Sequence, residues 1–202
     1  MAMNEIQTFN ERNLTIPINK VKIARSLSTE LPDYLTKDEV DKLLSVITNK
    51  SHYLLIEFLW KTGCRITEAL SITKGSIDFE NRTIRIRWLK KRKALERIIP
   101  LHPSLAYNLS VFAGSLNLQD RMFPITRQRA YQITKDYAVK AQIGKPIHPH
   151  TLRHSFAVYF LKQRRNIVAL QKLLGHSQIT TTMIYLNIVQ QDLADEINMM
   201  EY

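Results

Sequence analysis

One stretch of the sequence alternates apolar and charged residues with a period of two, and it sets the fold class. From Thr83 to Lys90 the order is Thr-Ile-Arg-Ile-Arg-Trp-Leu-Lys, which predicts a strand with one buried face. Ile77 and Phe79 precede it across a turn at 80–82, and residues 96–101 are predicted to return as a third strand after a basic loop. An antiparallel sheet of this size is too small to form the core of a 202-residue chain alone. Helices must therefore supply the rest of the core.

The remaining sequence has helical periodicity. Thr36 and Glu39 have the spacing of a capping box, and an apolar stripe with helical spacing follows them. Further helices are predicted at about 51–62, from 67, at 104–112 and 127–141, and from 150 onward, with breaks at Gly63 and Gly175 and a new start near Ser177 or Thr180. The predicted class is therefore α+β, mostly α, with a small three-stranded antiparallel sheet. Residues 1–34 lack a sustained period and are predicted to be an arm or linker.

The charge balance points to a polyanionic partner. The chain has 29 Lys and Arg against 18 Asp and Glu, a net charge of +11. Nucleic acid is the first candidate partner and an anionic membrane surface the second. Seven of the 13 residues from Arg85 to Arg97 are basic, which fits a hairpin that contacts phosphates. The structural alternative is a charged, solvated strand edge.

Cysteine content and hydropathy limit the compartment. Cys64 is the only cysteine, so an internal disulfide is excluded, and no Cys/His spacing indicates a metal site. No apolar run approaches the roughly 20 residues of a membrane span, and no hydrophobic signal core follows Met1. The expected location is the cytoplasm, in association with the nucleoid, without membrane contact.

Several residues have spacings that suit chemistry on a phosphate. His150 and Arg153 lie three apart, on one face of a helix. Leu174, Gly175 and His176 follow, and Tyr185 stands nine residues beyond His176. Arg65 comes just after the helix break at Gly63. Taken singly, each has an ordinary structural explanation, since a helical Arg usually pairs with a carboxylate and a Tyr in an apolar segment usually packs.

Together, in this order, they resemble the tyrosine recombinase (phage integrase) family. Its signature is an Arg in a TGxRxxE setting, a Lys in a β-hairpin, an HxxR box, an LGH box and a Tyr nine residues past that His. The matching residues are Arg65 with Glu68, Lys90, His150 with Arg153, His176 and Tyr185. The resemblance covers residues from about 35 to 190. It implies a site-specific recombinase that cuts and rejoins DNA through a covalent 3′-phosphotyrosyl intermediate, in integration, excision or inversion.

The resemblance also suggests a role for each residue. A phenol has a pKa near 10, so attack on phosphorus requires help with both proton and charge. Arg65 and Arg153 would clamp the phosphate oxygens, Lys90 would protonate the leaving oxygen, and His176 would hydrogen-bond the phosphate. His150 is the candidate for taking the Tyr185 proton. No metal, ATP or other cofactor is expected.

Neighbouring residues receive supporting roles. Glu68 is expected to support the Arg65 turn, and His148 and His154 to be structural or to face DNA. Lys91, Arg92 and Lys93 are candidates for DNA contact. Lys90 is preferred as the hairpin lysine because it ends the strand, although counting back from Pro100 favours position 92. A longer hairpin loop would resolve the conflict, and Lys91 and Lys93 remain alternatives.

The domain boundaries leave several possibilities open. The predicted catalytic domain spans 35–188, and a tail helix at 189–202 is exchanged between protomers of a tetramer or folds back on its own domain. Because only about 34 residues precede this domain, the chain resembles either the small fimbrial-switch invertases or the catalytic half of a Xer-like recombinase. A type IB topoisomerase-like activity and a non-catalytic DNA-binding protein are the alternative functions. The expected partners are double-stranded DNA, other copies of the chain and accessory DNA-binding proteins.

Overall fold

The computed structural model describes residues 32–90, 93–163 and 166–198, with the backbone alone at 88–90, 93–94 and 191–198. These residues form eight α-helices and three strands within one compact unit, which confirms the predicted class. The helices are α1 (Lys37–Ser45), α2 (Lys50–Thr62), α3 (Ile66–Ala69), α4 (Pro103–Phe112), α5 (Arg127–Lys140), α6 (Pro149–Lys162), α7 (Ile167–Leu174) and α8 (Thr180–Asn198). The strands are β1 (Ile77–Asp78), β2 (Thr83–Lys90) and β3 (Lys93–Pro100).

The sheet is an antiparallel meander in the order β1-β2-β3. Ile84 and Ile86 of β2 are buried, as the alternating pattern predicts. Strands β2 and β3 pair from Thr83 opposite Pro100 to Lys90 opposite Lys93, so only two residues separate the paired ends. The third strand, predicted from 96, therefore begins at Lys93, and the longer basic loop is wrong, because Lys93 to Leu95 continue the backbone ladder. Lys91 and Arg92 lie outside the described residues.

Helix boundaries follow the local signals in the sequence. Thr36 and Glu39 form the predicted capping box at the start of α1. Helices α2 and α7 both end in a left-handed residue, Gly63 with φ of 62° and Gly175 with φ of 67°. Glycine takes this conformation without the steric cost of a Cβ atom. Gly63 directs the chain toward Arg65, and Gly175 directs it toward His176.

The core consists of two clusters of buried side chains. The first cluster contains most of α2 with Ile66, the buried faces of the sheet, and Leu152 of α6. The second cluster joins α6, α7 and α8 and includes Val158 and Tyr185. Helix α2 is buried on nearly all sides, which fits its almost continuous apolar sequence. It packs against α4 and α6, and α6 packs in turn against α8.

The two ends of the chain are only partly described. Residues 1–31, most of the predicted arm, lie outside the described residues. Helix α8 runs without a break to Asn198, so the predicted tail segment from 189 continues the helix that carries Tyr185. In the described part of the chain, none of the helices combines the length and apolar character that crossing a membrane requires.

Candidate active site

Arg65 lies at a turn that Glu68 supports. Its backbone N–H donates to Glu68 Oε2 (2.9 Å) and its Nη1 donates to Oε1 (3.0 Å). The Arg65 side chain is 37% exposed, so its guanidinium can still reach a ligand in solution. Both carboxylate oxygens of Glu68 thus contact the Arg65 turn, and its supporting role stays a prediction.

Arg97 of β3 is a second partner of Glu68 and was not among the predicted site residues. Its Nη1 and Nη2 donate to the two carboxylate oxygens of Glu68 at 3.0 and 2.7 Å, and its Nε donates to the Leu173 carbonyl at 2.9 Å. A Cβ atom on Gly175 would lie 2.8 Å from Arg97 Nη1, so the guanidinium passes closely over the end of α7. Arg97 therefore ties the hairpin to the segments that carry Arg65 and His176.

The charges of Arg65, Glu68 and Arg97 together favour the binding of an anion. Burial would raise the pKa of Glu68, but the hydrogen bonds and charge of Arg97, together with Arg65, outweigh it and lower the pKa. One carboxylate then faces two guanidiniums, which leaves an excess positive charge beside the partly exposed Arg65. Strand pairing indicates that Arg97 faces the interior. Arg97 lies opposite buried Ile86, and paired residues share one face of a sheet.

Arg153 is 3% exposed and joins three segments. Its Nη1 donates to the Gly63 carbonyl at 2.6 Å, and its Nη2 donates to the Leu174 carbonyl at 2.8 Å and lies 2.9 Å from His176 Nε2. Burial, and then the charge of Arg65, lowers the pKa of Arg153 to about 10, so it stays charged at neutral pH. The two predicted arginines are thus linked through the chain between Gly63 and Arg65.

The protonation of His176 follows from its neighbours. Because a guanidinium only donates, His176 Nε2 accepts from Arg153, and the proton on Nδ1 is donated to Thr182 Oγ1 at 2.9 Å. Burial and the charges of nearby arginines lower the pKa of His176 to about 4. His176 is therefore a neutral imidazole at neutral pH, fixed between Arg153 and helix α8.

Tyr185 lies in the second cluster with 3% of its surface exposed. Burial raises the pKa of its phenol, against the opposing charges of Arg153 and Arg65. Its hydroxyl lies 2.9 Å from Nδ1 of His154, which is one helical turn beyond His150 on the same face of α6. The prediction that His150 takes the proton stays a prediction, and the observed neighbour of the hydroxyl is His154.

The hairpin lysines are only partly described. Lys90 is the last paired residue of β2 and Lys93 the first of β3, but their side chains lie outside the described residues, as do Lys91 and Arg92 entirely. Lys90 therefore remains our choice on its position alone. Cys64, beside Arg65, is buried, and burial raises the pKa of its thiol to about 11, so it stays protonated. Within the described ranges, no group of three or more His, Cys, Asp or Glu side chains is arranged to hold a metal ion.

The buried histidines predict how stability depends on pH. The pKa values of folded His154 and His176 are about 4, against an ordinary 6.5, mainly because burial disfavours the cation. As pH falls below 6.5, the unfolded chain binds protons that the folded chain does not, so the free energy of unfolding decreases toward pH 4. Urea unfolding between pH 5 and 6.5, above the ordinary 4.5 of Glu68, measures this effect together with the contributions of His52 and His150, whose pKa values burial also lowers. His154→Asn should reduce the slope, and an unchanged slope would contradict the prediction.

The site combines a tyrosine hydroxyl, two guanidiniums and neutral imidazoles, a set that suits phosphoryl transfer. The model of the phage integrase family matches residues 33–192. A tyrosine recombinase of Pseudothermotoga lettingae is 33% identical over 201 residues, which cover 96% of this chain and 68% of that protein. The chain belongs to the phage integrase family, the family of the tyrosine recombinases, and spans about two thirds of this curated relative.

Solved structures agree in fold. The catalytic domain of bacteriophage HP1 integrase matches with a TM-score of 0.65 and 26% identity, over 84% of this chain and 95% of that domain. A structure of the Tn1549 transposon integrase in complex with circular intermediate DNA matches with a TM-score of 0.65 and 24% identity, over 78% of this chain and 63% of that one.

Proposed function

We propose that this chain provides the catalytic domain of a site-specific DNA recombinase, which cleaves and rejoins strands through a 3′-phosphotyrosyl bond at Tyr185. The observation that carries the proposal is the hydrogen bonding of buried Arg153. It links the Arg65 turn, the His176 turn and helix α6, so the residues of all three motifs converge on one region. Family membership and the net charge of +11 support double-stranded DNA as the substrate.

The chemistry follows from the donors at the site. Arg65 and Arg153 would hold the non-bridging oxygens of one phosphate, where charge increases in the transition state, and His150 would add a hydrogen bond. His176 could donate to the phosphate as predicted only if its ring exchanged a present partner, because Nδ1–H donates to Thr182 and Nε2 accepts from Arg153. The Tyr185 oxygen forms a bond to phosphorus as the bond to the 5′ oxygen breaks. The phenolic proton passes to a histidine of α6, and Lys90 protonates the 5′ oxygen. The phosphotyrosine conserves the energy of the diester, so rejoining needs no nucleotide.

Assembly on DNA belongs to the same proposal. Family resemblance supports a tetramer in which residues 189–202 of one protomer contact the next. It also supports accessory DNA-binding proteins as partners and a location on the nucleoid. Helix α8 carries both Tyr185 and the start of this tail. An exchanged tail would therefore connect the nucleophile of one protomer directly to its neighbour.

A nicked suicide DNA substrate tests the chemistry. With the native chain we expect a covalent protein–DNA adduct that resists denaturation. Tyr185→Phe keeps the ring in its cluster but removes the nucleophile, and we expect the adduct to fall by at least about 10³-fold. The control is Tyr159→Phe, which removes the hydroxyl of a different tyrosine and keeps the ring contact with Trp60.

Three results would overturn the proposal. An adduct formed by Tyr185→Phe would show that the nucleophile lies elsewhere. DNA binding by the native chain without any adduct would indicate a non-catalytic DNA-binding protein. Relaxation by a monomer of plasmids that lack a defined site would instead indicate a topoisomerase-like activity.

A further inference from the structure

His154 lies at the inner end of a row of histidines that leads to Tyr185. The ring centroids of His154 and Tyr185 are 5.7 Å apart, and the Nδ1 to Oη distance is 2.9 Å. His150 follows at 6.5 Å from His154, and exposed His148 at 6.2 Å from His150. Three imidazoles at the start of α6 therefore connect the buried phenol with the protein surface.

We propose that His154 is the catalytic residue that accepts the proton of Tyr185 as its oxygen attacks phosphorus. The inference rests on the proposed function and assigns to His154 the proton that the motif spacing predicted for His150. As the Oη–P bond forms, the phenolic proton moves to His154 Nδ1, the bond between phosphorus and the 5′ oxygen breaks, and Lys90 donates a proton to that oxygen. The cleaved state then has a cationic His154 and a neutral Lys90, and both protons return during rejoining.

Contact geometry supports His154 over His150. A general base must lie within hydrogen-bond distance of the proton that it removes, and His154 Nδ1 meets this condition. His150 lies on the same face of α6 as Arg153, so we assign it to the phosphate that Arg153 would hold. The two histidines thus take separate tasks, one at the nucleophile and one at the phosphate.

The surroundings keep His154 ready to accept a proton. Burial, followed by charges on its own helix, lowers its pKa to about 4, so the ring is neutral at neutral pH. The titratable and charged groups that act on His154 are His148 at the N-cap of α6, His150 and Arg153 within it, Asp33, and Tyr185 of α8. A bound DNA phosphate adds negative charge beside this group, which favours the imidazolium that the reaction produces. The base therefore becomes stronger when substrate is present.

Replacement by asparagine separates proton transfer from positioning. The amide oxygen that His154→Asn introduces can still accept a hydrogen bond near the Nδ1 position, but an amide does not take the proton at neutral pH. We expect the single-turnover rate of adduct formation at pH 7 to fall about 10²-fold in His154→Asn. His154→Phe, which keeps the ring volume and removes the acceptor, should fall at least as far. A normal urea midpoint in either variant shows that the domain is folded.

The pH profile supplies the readout that a structural role would not change. Without the base, attack depends on the phenolate, whose fraction rises about tenfold per pH unit below the pKa of Tyr185. The rate of His154→Asn should therefore increase about tenfold per unit from pH 7 to 9, whereas the native rate rises much less. His148→Asn, which keeps an acceptor at the N-cap of α6, should have the native slope.

His150→Asn is the matched comparison. We expect it to lose rate without this recovery at high pH, because its task is at the phosphate. The inference is overturned if His154→Asn keeps the native rate, if it loses rate without recovery, or if the recovery occurs in His150→Asn instead. In all three cases, an adduct that still requires Tyr185 leaves the proposed function intact. An adduct that forms without Tyr185 would overturn both the proposed function and the role of His154.

Discussion

Arg153→Lys is expected to abolish measurable cleavage and to destabilise the domain. One ammonium group cannot reproduce the fork that donates to the Gly63 and Leu174 carbonyls and to His176 while it also faces a phosphate. Loss of one such donor at a transition state costs about 10²–10³-fold in rate, and here at least two donors change. The buried carbonyls left without a partner should also lower the free energy of unfolding by about 2–4 kcal/mol.

Two measurements check this expectation. The rate of adduct formation on a nicked substrate gives the catalytic effect, and urea unfolding of the same preparation gives the stability. Arg129→Lys, at an exposed position of α5, is the control, and its unfolding free energy should stay within about 0.5 kcal/mol of the native value. Native cleavage by Arg153→Lys would mean that the guanidinium fork is not required.

Arg97→Met should cause the second large effect. Its side chain is 8% exposed and pairs with both oxygens of Glu68, so its removal leaves a buried carboxylate with Arg65 as the remaining cation. Breaking a buried pair from one side costs about 3–5 kcal/mol, a large share of the roughly 5–15 kcal/mol that stabilises a typical domain. We also expect slower cleavage, because Glu68 orients Arg65.

A double-mutant cycle tests the origin of that effect. Arg97→Met with Glu68→Gln should be more stable than Arg97→Met alone, since the amide removes the unpaired charge. Urea unfolding of the two single variants and the double variant provides the coupling energy. If the second substitution adds its full cost to the first, Arg97 contributes through packing and not through its charge.

The sequence was sufficient where the controlling physics is local. Gly63 and Gly175 end their helices in the left-handed conformation, and Thr36 with Glu39 caps α1, because each effect acts within a few residues. The spacing between His176 and Tyr185 reflects one turn and the first part of α8. Signals of this short range are enough to locate most of the candidate site along the chain.

Contacts between distant segments were beyond that reasoning. His154 meets Tyr185 only because α6 packs against α8, and a helical face alone does not reveal which helix covers it. Arg97 was assigned to a basic patch because its neighbours are basic, although strand alternation places it opposite buried Ile86. The third strand was predicted too short for a similar reason, because the run of charged residues before it was interpreted as a loop.

The division of the core into two clusters bears on when the enzyme cuts. Tyr185 belongs to the second cluster, while Arg65 follows Cys64 of the first, and α6 is shared through Leu152 and Val158. A small displacement of α7 and α8 on α6 would move Tyr185 and His176 relative to Arg65 without the replacement of any catalytic residue. We therefore expect aliphatic substitutions around Val158 to change the rate of DNA cleavage while the affinity for DNA stays constant.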